Sequence, residues 1–171
     1  WHNGAEAFER LYQHGQSVMF GGMCDHTKVP LQDMLPDRSF TEKHVGDGYS
    51  STLFVDAAID FLEGQDVDQP FFAYVALTAP HDPRQPAPGF DAMYDPASLS
   101  LPPNFLPQHP FDNGQLTTRD EKLAAWPRTA EVVREQLAEY YGLISHMDAE
   151  IGRLLAALDR TGHARNTLIV Y

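Results

Sequence analysis

Phe71-Phe72-Ala73-Tyr74-Val75-Ala76-Leu77-Thr78-Ala79-Pro80-His81-Asp82-Pro83 is the stretch on which the fold reading turns. From Phe71 to Leu77 the run is apolar without polar alternation, which predicts a strand buried on both faces, as in a parallel sheet. Pro80 biases Ala79, and Pro83 biases Asp82, toward an extended backbone. His81 is therefore predicted to sit between two stiff points at the carboxyl end of a strand. Ligands of open α/β sheets gather at that end, and a proton donor needs such fixed geometry. The competing reading is an ordinary loop histidine among prolines.

Working outward, residues 4–14 place Ala5, Phe8, Leu11 and Tyr12 on one helical face, with Gly15 as a stop. Ser17–Phe20 reads as a short strand and residues 23–46 as an irregular loop. Residues 49–63 form a second helix, capped by Asp47, Ser50 or Ser51 and ended by Gly64. Nine of the 13 prolines fall within residues 80–110, so this part cannot be regular structure. The region 80–116 is predicted to be a long, packed functional loop. Val133, Leu137, Tyr140, Ile144, Met147, Ile151, Leu154 and Leu158 recur at helical spacing across residues 130–160. Thr129 is the predicted N-cap and Gly162 the stop. Thr167–Tyr171 reads as a last strand. Helices alternating with buried strands imply an α/β fold.

The chain has 171 residues and a formal net charge of −12. Such acidity argues against a nucleic-acid partner, which needs a basic surface. No apolar run is long enough to span a bilayer. Cys24 is the only cysteine, so neither an internal disulfide nor a cysteine-rich zinc site can form. The chain opens on Trp1 without an initiator Met and stops within a strand-like run, as expected for an internal piece of a longer protein.

Two histidines are candidates for chemistry. His81 is the first. His2, in Trp1-His2-Asn3-Gly4, is the second, because it precedes a helix start where backbone N–H groups favour anions. His14, His44, His109, His146 and His163 read as turn, helix-end or packing residues. Cys24-Asp25-His26 lacks any signature of a thiol–imidazole pair. Arg84 and Arg128 are candidates to meet an anionic sugar, against the plainer reading of surface arginines.

Several of these segments resemble the type I, formylglycine-dependent sulfatases of the alkaline phosphatase superfamily. Trp1-His2-Asn3-Gly4 is similar to the end of their Gly-Lys-Trp-His-x-Gly motif, and Tyr49–Phe61 to the helix before their central strand. Residues 71–83 resemble their buried strand and Pro-His-x-Pro loop, Tyr140–Gly152 their long helix, and Asn166–Tyr171 the strand before a metal motif. The resemblance runs the length of the chain. It implies an alkaline phosphatase-like mixed or parallel sheet flanked by helices, with residues 1–171 as the central portion of one catalytic domain. It also implies hydrolysis of a sulfate ester, a small molecule or an oligosaccharide, with a carbohydrate favoured by the loop 80–116.

By the same resemblance His81 contacts the sulfate and is the general acid. His2 contacts the nucleophile and helps expel sulfate. Both imidazoles are expected on one anion. The family uses formylglycine and calcium, and export to the periplasm or beyond is typical of its bacterial members. This chain departs from the pattern in that Cys24 is followed by Asp25-His26-Thr27-Lys28, without the Pro and Arg of the C/S-x-P-x-R motif. Ser100-Leu101-Pro102-Pro103-Asn104 lacks the Arg. The resemblance places the family's calcium-holding aspartates and Asp-His/Asn pair outside residues 1–171, so no metal ligand is assigned within them, and the piece alone is expected to be inactive. A phosphomonoesterase or phosphonate hydrolase of the same superfamily is the alternative, as is a catalytically dead homologue that binds sulfated glycans.

Overall fold

The computed structural model describes residues 1–116, 118 and 122–171. Its elements are helix α1 (Gly4–Leu11), strands β1 (Pro30–Leu31) and β2 (His44–Val45), helix α2 (Ser50–Glu63) and helix α3 (Ala130–Arg160), with 3-10 turns at Pro96–Ser98 and His163–Asn166. The chain divides into two compact units. One comprises Trp1–Ala79 with Met147–Tyr171, the other Pro80–His146.

In the first unit, Met19, Val29, Leu31 and Phe54 form the core, with Cys24, Leu53 and Leu77 packed against it. Helix α1 stops at Leu11, four residues before the expected glycine. Tyr12 turns extended and lays its ring 4.7 Å from that of Phe8. Gly15 instead lies against Phe8, where a Cβ would come 2.7 Å from the ring. Aromatic packing, not a backbone stop signal, thus ends this helix.

Of the expected Ser17–Phe20 strand only an isolated bridge exists, Val18 to Gln32. The region read as irregular holds the antiparallel β1–β2 pair, with Pro30 opposite Val45 and Leu31 opposite His44. Two residues per strand are too few to show a period-2 pattern.

Helix α2 matches its predicted span, but its start differs. Tyr49 occupies the N-cap and makes no side-chain cap bond. Ser50 and Ser51 lie inside the first turn and are fully buried. The His26 carbonyl accepts from the Ser50 N–H at 2.8 Å, so a residue distant in sequence does the capping. Residues 147–160 of α3 join α2 through Thr52, whose hydroxyl donates to Glu150 at 2.9 Å. Arg153 bonds both Glu150 and Asp56.

The two expected strands need correction. Residues 71–77 and Thr167–Tyr171 pair with no strand among the described residues. Phe72 is 77% exposed and Val170 85%. An apolar run becomes a buried strand only when other strands lie beside it, and the run's own sequence does not supply them. Residues 71–77 are nonetheless anchored at both ends. Leu77 packs on the core, and the Phe71 ring meets Phe61 and His163 at 5.7 and 5.4 Å.

In the second unit the Pro-rich segment is irregular apart from its 3-10 turn, as its prolines dictate. It packs on residues 130–146 of α3. The Tyr94 hydroxyl bonds Ser145 at 2.8 Å, and Phe90 lies edge-on to His146. Gly142 permits this approach, because a Cβ there would lie 2.6 Å from the Phe90 carbonyl. Thr129 caps α3 as read, its hydroxyl accepting from the Val132 N–H at 3.3 Å. Met93, Leu106 and Phe111 stay exposed, so the packing expected of this loop holds at Phe90 and Tyr94 and not at those three.

Candidate active site

His2 lies in the first unit. The Trp1 nitrogen donates to the Met19 carbonyl at 2.7 Å, and Gly21 N–H donates back to the Trp1 carbonyl at 3.0 Å. The Trp1 ring is packed edge-on by Phe8, Tyr12 and Tyr74. These contacts fix the backbone beside His2 and set its imidazole against Gly22. Any Cβ at Gly22 would collide with the ring. A larger residue at position 22 would therefore displace the His2 ring.

His2 borders a cavity of about 820 Å³ that Trp1, Asn3, Gly22, Tyr74 and Thr78 also line. No carboxylate, lysine or arginine lines it among the described residues. Its polar character comes from imidazoles, amides and hydroxyls, which suit an anion provided that cations come from elsewhere.

Cys24 stands in the same unit. Burial, the largest influence, pushes its thiol up; the neighbouring Thr78 side chain acts the other way, and the Asp25 charge adds to the rise. A thiol held protonated is a poor nucleophile, in keeping with its sequence context. His26 is fully buried. Its Nδ1 is 2.7 Å from the Ser50 hydroxyl, and its ring stacks on Tyr49. It braces the start of α2.

His81 lies in the second unit, exposed, at the unit's first turn. Its Nδ1 is 3.3 Å from the Asp82 carbonyl. A carbonyl only accepts, so Nδ1 carries the proton in that contact, which turns the chemistry toward Nε2. The Asp82–Pro83 peptide is cis. Asp82 pairs with Arg84 at 3.5 Å, and Arg84 also donates to the Gln136 side chain at 2.8 Å. Arg84 is thus held against α3 with its side chain 31% exposed.

A second cavity, of about 640 Å³, lies wholly in this unit. Asp82, Arg84, His109, Trp126, Arg128 and Tyr140 are among the residues lining it. Sequence reading singled out Arg84 and Arg128, placed His109 at a turn and missed Trp126. Only folding brings these positions together, so no spacing pattern could have signalled it. His146 and His163, read as packing or helix-end residues, are buried and in ring contacts.

Among the described residues no three His, Cys, Asp or Glu side chains converge as metal ligands. No helix among them is long and apolar enough to cross a membrane.

A protein-family model described as Sulfatase matches residues 8–171. The chain is 27% identical to an arylsulfatase of Klebsiella aerogenes, a match covering 100% of this chain and 42% of that protein. It is 31% identical to an ulvan-active sulfatase of Formosa agariphila, over 86% of this chain and 24% of the relative. It is also 31% identical to the multifunctional alkaline phosphatase superfamily protein PehA of Trinickia caryophylli, over 71% of this chain and 26% of the relative. The chain therefore spans well under half the length of these relatives. No solved structure matches it.

Proposed function

The chain belongs to the sulfatase family, whose domain has the alkaline phosphatase-like α/β fold, and from that premise we propose that the whole protein hydrolyses a sulfate ester to an alcohol and free sulfate. The observation that carries the proposal is the family match over residues 8–171, which includes Pro80-His81-Asp82-Pro83 directly after an extended apolar run. Residues 1–171 are the central portion of the catalytic domain, and 80–116 its substrate-facing loop. Residues 71–77 and 167–171 are strands of that domain's larger sheet, which accounts for their apolar, extended character.

His81 is the proposed general acid. An oxygen nucleophile, ultimately water, bonds to sulfur as the bond between sulfur and the ester oxygen breaks, and the electron pair of the broken bond stays on the ester oxygen. The His81 imidazolium gives its Nε2 proton there and becomes neutral, and the alcohol leaves. Its exposure admits a substrate, and the Nδ1 contact with Asp82 holds the ring. His2 is the proposed residue that assists the expulsion of sulfate. Formylglycine and calcium belong to the family's chemistry. Among the described residues no three His, Cys, Asp or Glu side chains converge on a cation, and the Cys24 thiol, pushed up by burial, does not suit the nucleophile's role.

The PehA likeness keeps a phosphorus ester as the second reading, and one experiment separates the two. The whole protein should release sulfate from 4-nitrophenyl sulfate, and His81→Ala should lower kcat for this by about 10²–10⁴-fold, the usual worth of a general acid. Turnover of 4-nitrophenyl phosphate with none of the sulfate would overturn the proposal.

A further inference from the structure

His81 is connected to α3 through side chains that the reaction itself does not consume. Its Nδ1 meets the carbonyl of Asp82, and the carboxylate of that same Asp82 lies 3.5 Å from Nη1 of Arg84. The same Nη1 donates to Oε1 of Gln136 at 2.8 Å. Gln136 is on α3, and its amide nitrogen donates to the Glu139 carboxylate at 3.1 Å. Burial pushes the Glu139 carboxyl up, and the Arg84 charge, next in size, draws it down, so the guanidinium lies near that carboxylate too. All these residues belong to the second unit. A partly exposed ion pair contributes little to stability. One nitrogen that bridges a loop carboxylate to a helix side chain instead restricts where the loop can go.

We propose that Arg84 is a positioning residue for His81: by tethering Asp82 to Gln136 of α3, it keeps the Asp82 carbonyl against the imidazole Nδ1 and so orients Nε2 toward the ester oxygen. The inference rests on the reading of His81 as general acid. A hydrogen bond from Nδ1 to a fixed acceptor sets the ring's orientation and tautomer. A donor misplaced by about 1 Å loses on the order of 10²-fold in rate, so a tether of this kind has a kinetic consequence that its small stabilisation does not reveal.

The whole protein is assayed on 4-nitrophenyl sulfate and on phenyl sulfate. Phenoxide is the more basic leaving group, so its departure depends more on the donated proton. Arg84→Met should lower kcat on phenyl sulfate about tenfold or more, lower it less on 4-nitrophenyl sulfate, and leave KM within about twofold. Arg84→Lys should recover most of the loss, because a single nitrogen makes both contacts and an ammonium can bridge the same two oxygens. Gln136→Leu cuts the tether at the helix with Arg84 in place and should show the same pattern, which keeps the test open if Arg84→Met does not fold. A rise in KM with kcat unchanged would make Arg84 a substrate contact and overturn the proposal. So would equal kcat losses on the two esters, or an unchanged kcat, in both tether variants. His81→Ala separates the two levels. A loss in His81→Ala that is larger on phenyl sulfate, with no such difference in either tether variant, ends the positioning role alone. No such difference in His81→Ala removes the general acid, and the positioning role with it.

Discussion

At the residue scale, Tyr49 shows how one side chain carries pH dependence into the fold. It is buried at the start of α2 and stacks on His26. Burial first, and the nearby Cys24 second, push its phenol far above the ordinary value of 10.0. Below pH 10 the phenol is protonated in both folded and unfolded chains and contributes no pH dependence. Above it the unfolded chain releases the proton while the folded one keeps it, so stability falls as pH rises. Urea unfolding between pH 9 and 11 should show this loss, and Tyr49→Phe should flatten it. An unchanged slope in the variant would mean that Tyr49 is not the responsible group.

The same scale explains the site's legibility. His81 could be picked out because two prolines and an apolar run flank it, all signals adjacent in sequence. His26 could not. Its complete burial depends on Ser50 and Tyr49, more than twenty positions away. Nor could Trp126 be assigned, since an isolated tryptophan between Ala125 and Pro127 carries no local pattern.

At the element scale, α2 and residues 147–160 of α3 are tied by two kinds of polar contact. Glu150 is 6% exposed and bonds both Thr52 and Arg153. The Arg160–Glu63 pair is about half exposed on both sides. Removing a buried acceptor leaves its donors without a full set of partners and costs about 1–3 kcal/mol, whereas an exposed ion pair contributes about 0–1 kcal/mol. Glu150→Ala should therefore lower the unfolding free energy several times more than Glu63→Ala, as read by denaturant midpoints. Equal losses would refute the distinction. The helices themselves were legible because a period near 3.6 repeats over 14 residues in α2 and 31 in α3. The β1–β2 pair was not, because each strand has only two residues. The stop of α1 was missed because it depends on aromatic contacts, not on Gly15.

At the scale of the molecule, the first unit leaves Phe72, Tyr74, Leu168, Ile169, Val170 and Tyr171 exposed. These residues lie on extended backbone that no described strand pairs. Unpaired extended edges with apolar side chains invite strand addition. The 171-residue chain produced alone should associate as its concentration rises, and Tyr74→Lys with Val170→Lys should suppress this in light scattering. A monodisperse monomer at every concentration would contradict the expectation.

The sequence by itself determined the long helices, the irregular Pro-rich segment and the family, because each depends on residues near one another or on a pattern spread along the chain. Tertiary structure alone decided that Gly22 makes room for the His2 ring, that His26 caps α2, and that Arg84, His109, Trp126 and Arg128 share one cavity. Those outcomes arise from packing between side chains far apart in the chain, and such contacts impose no period or spacing on the sequence from which they could be read.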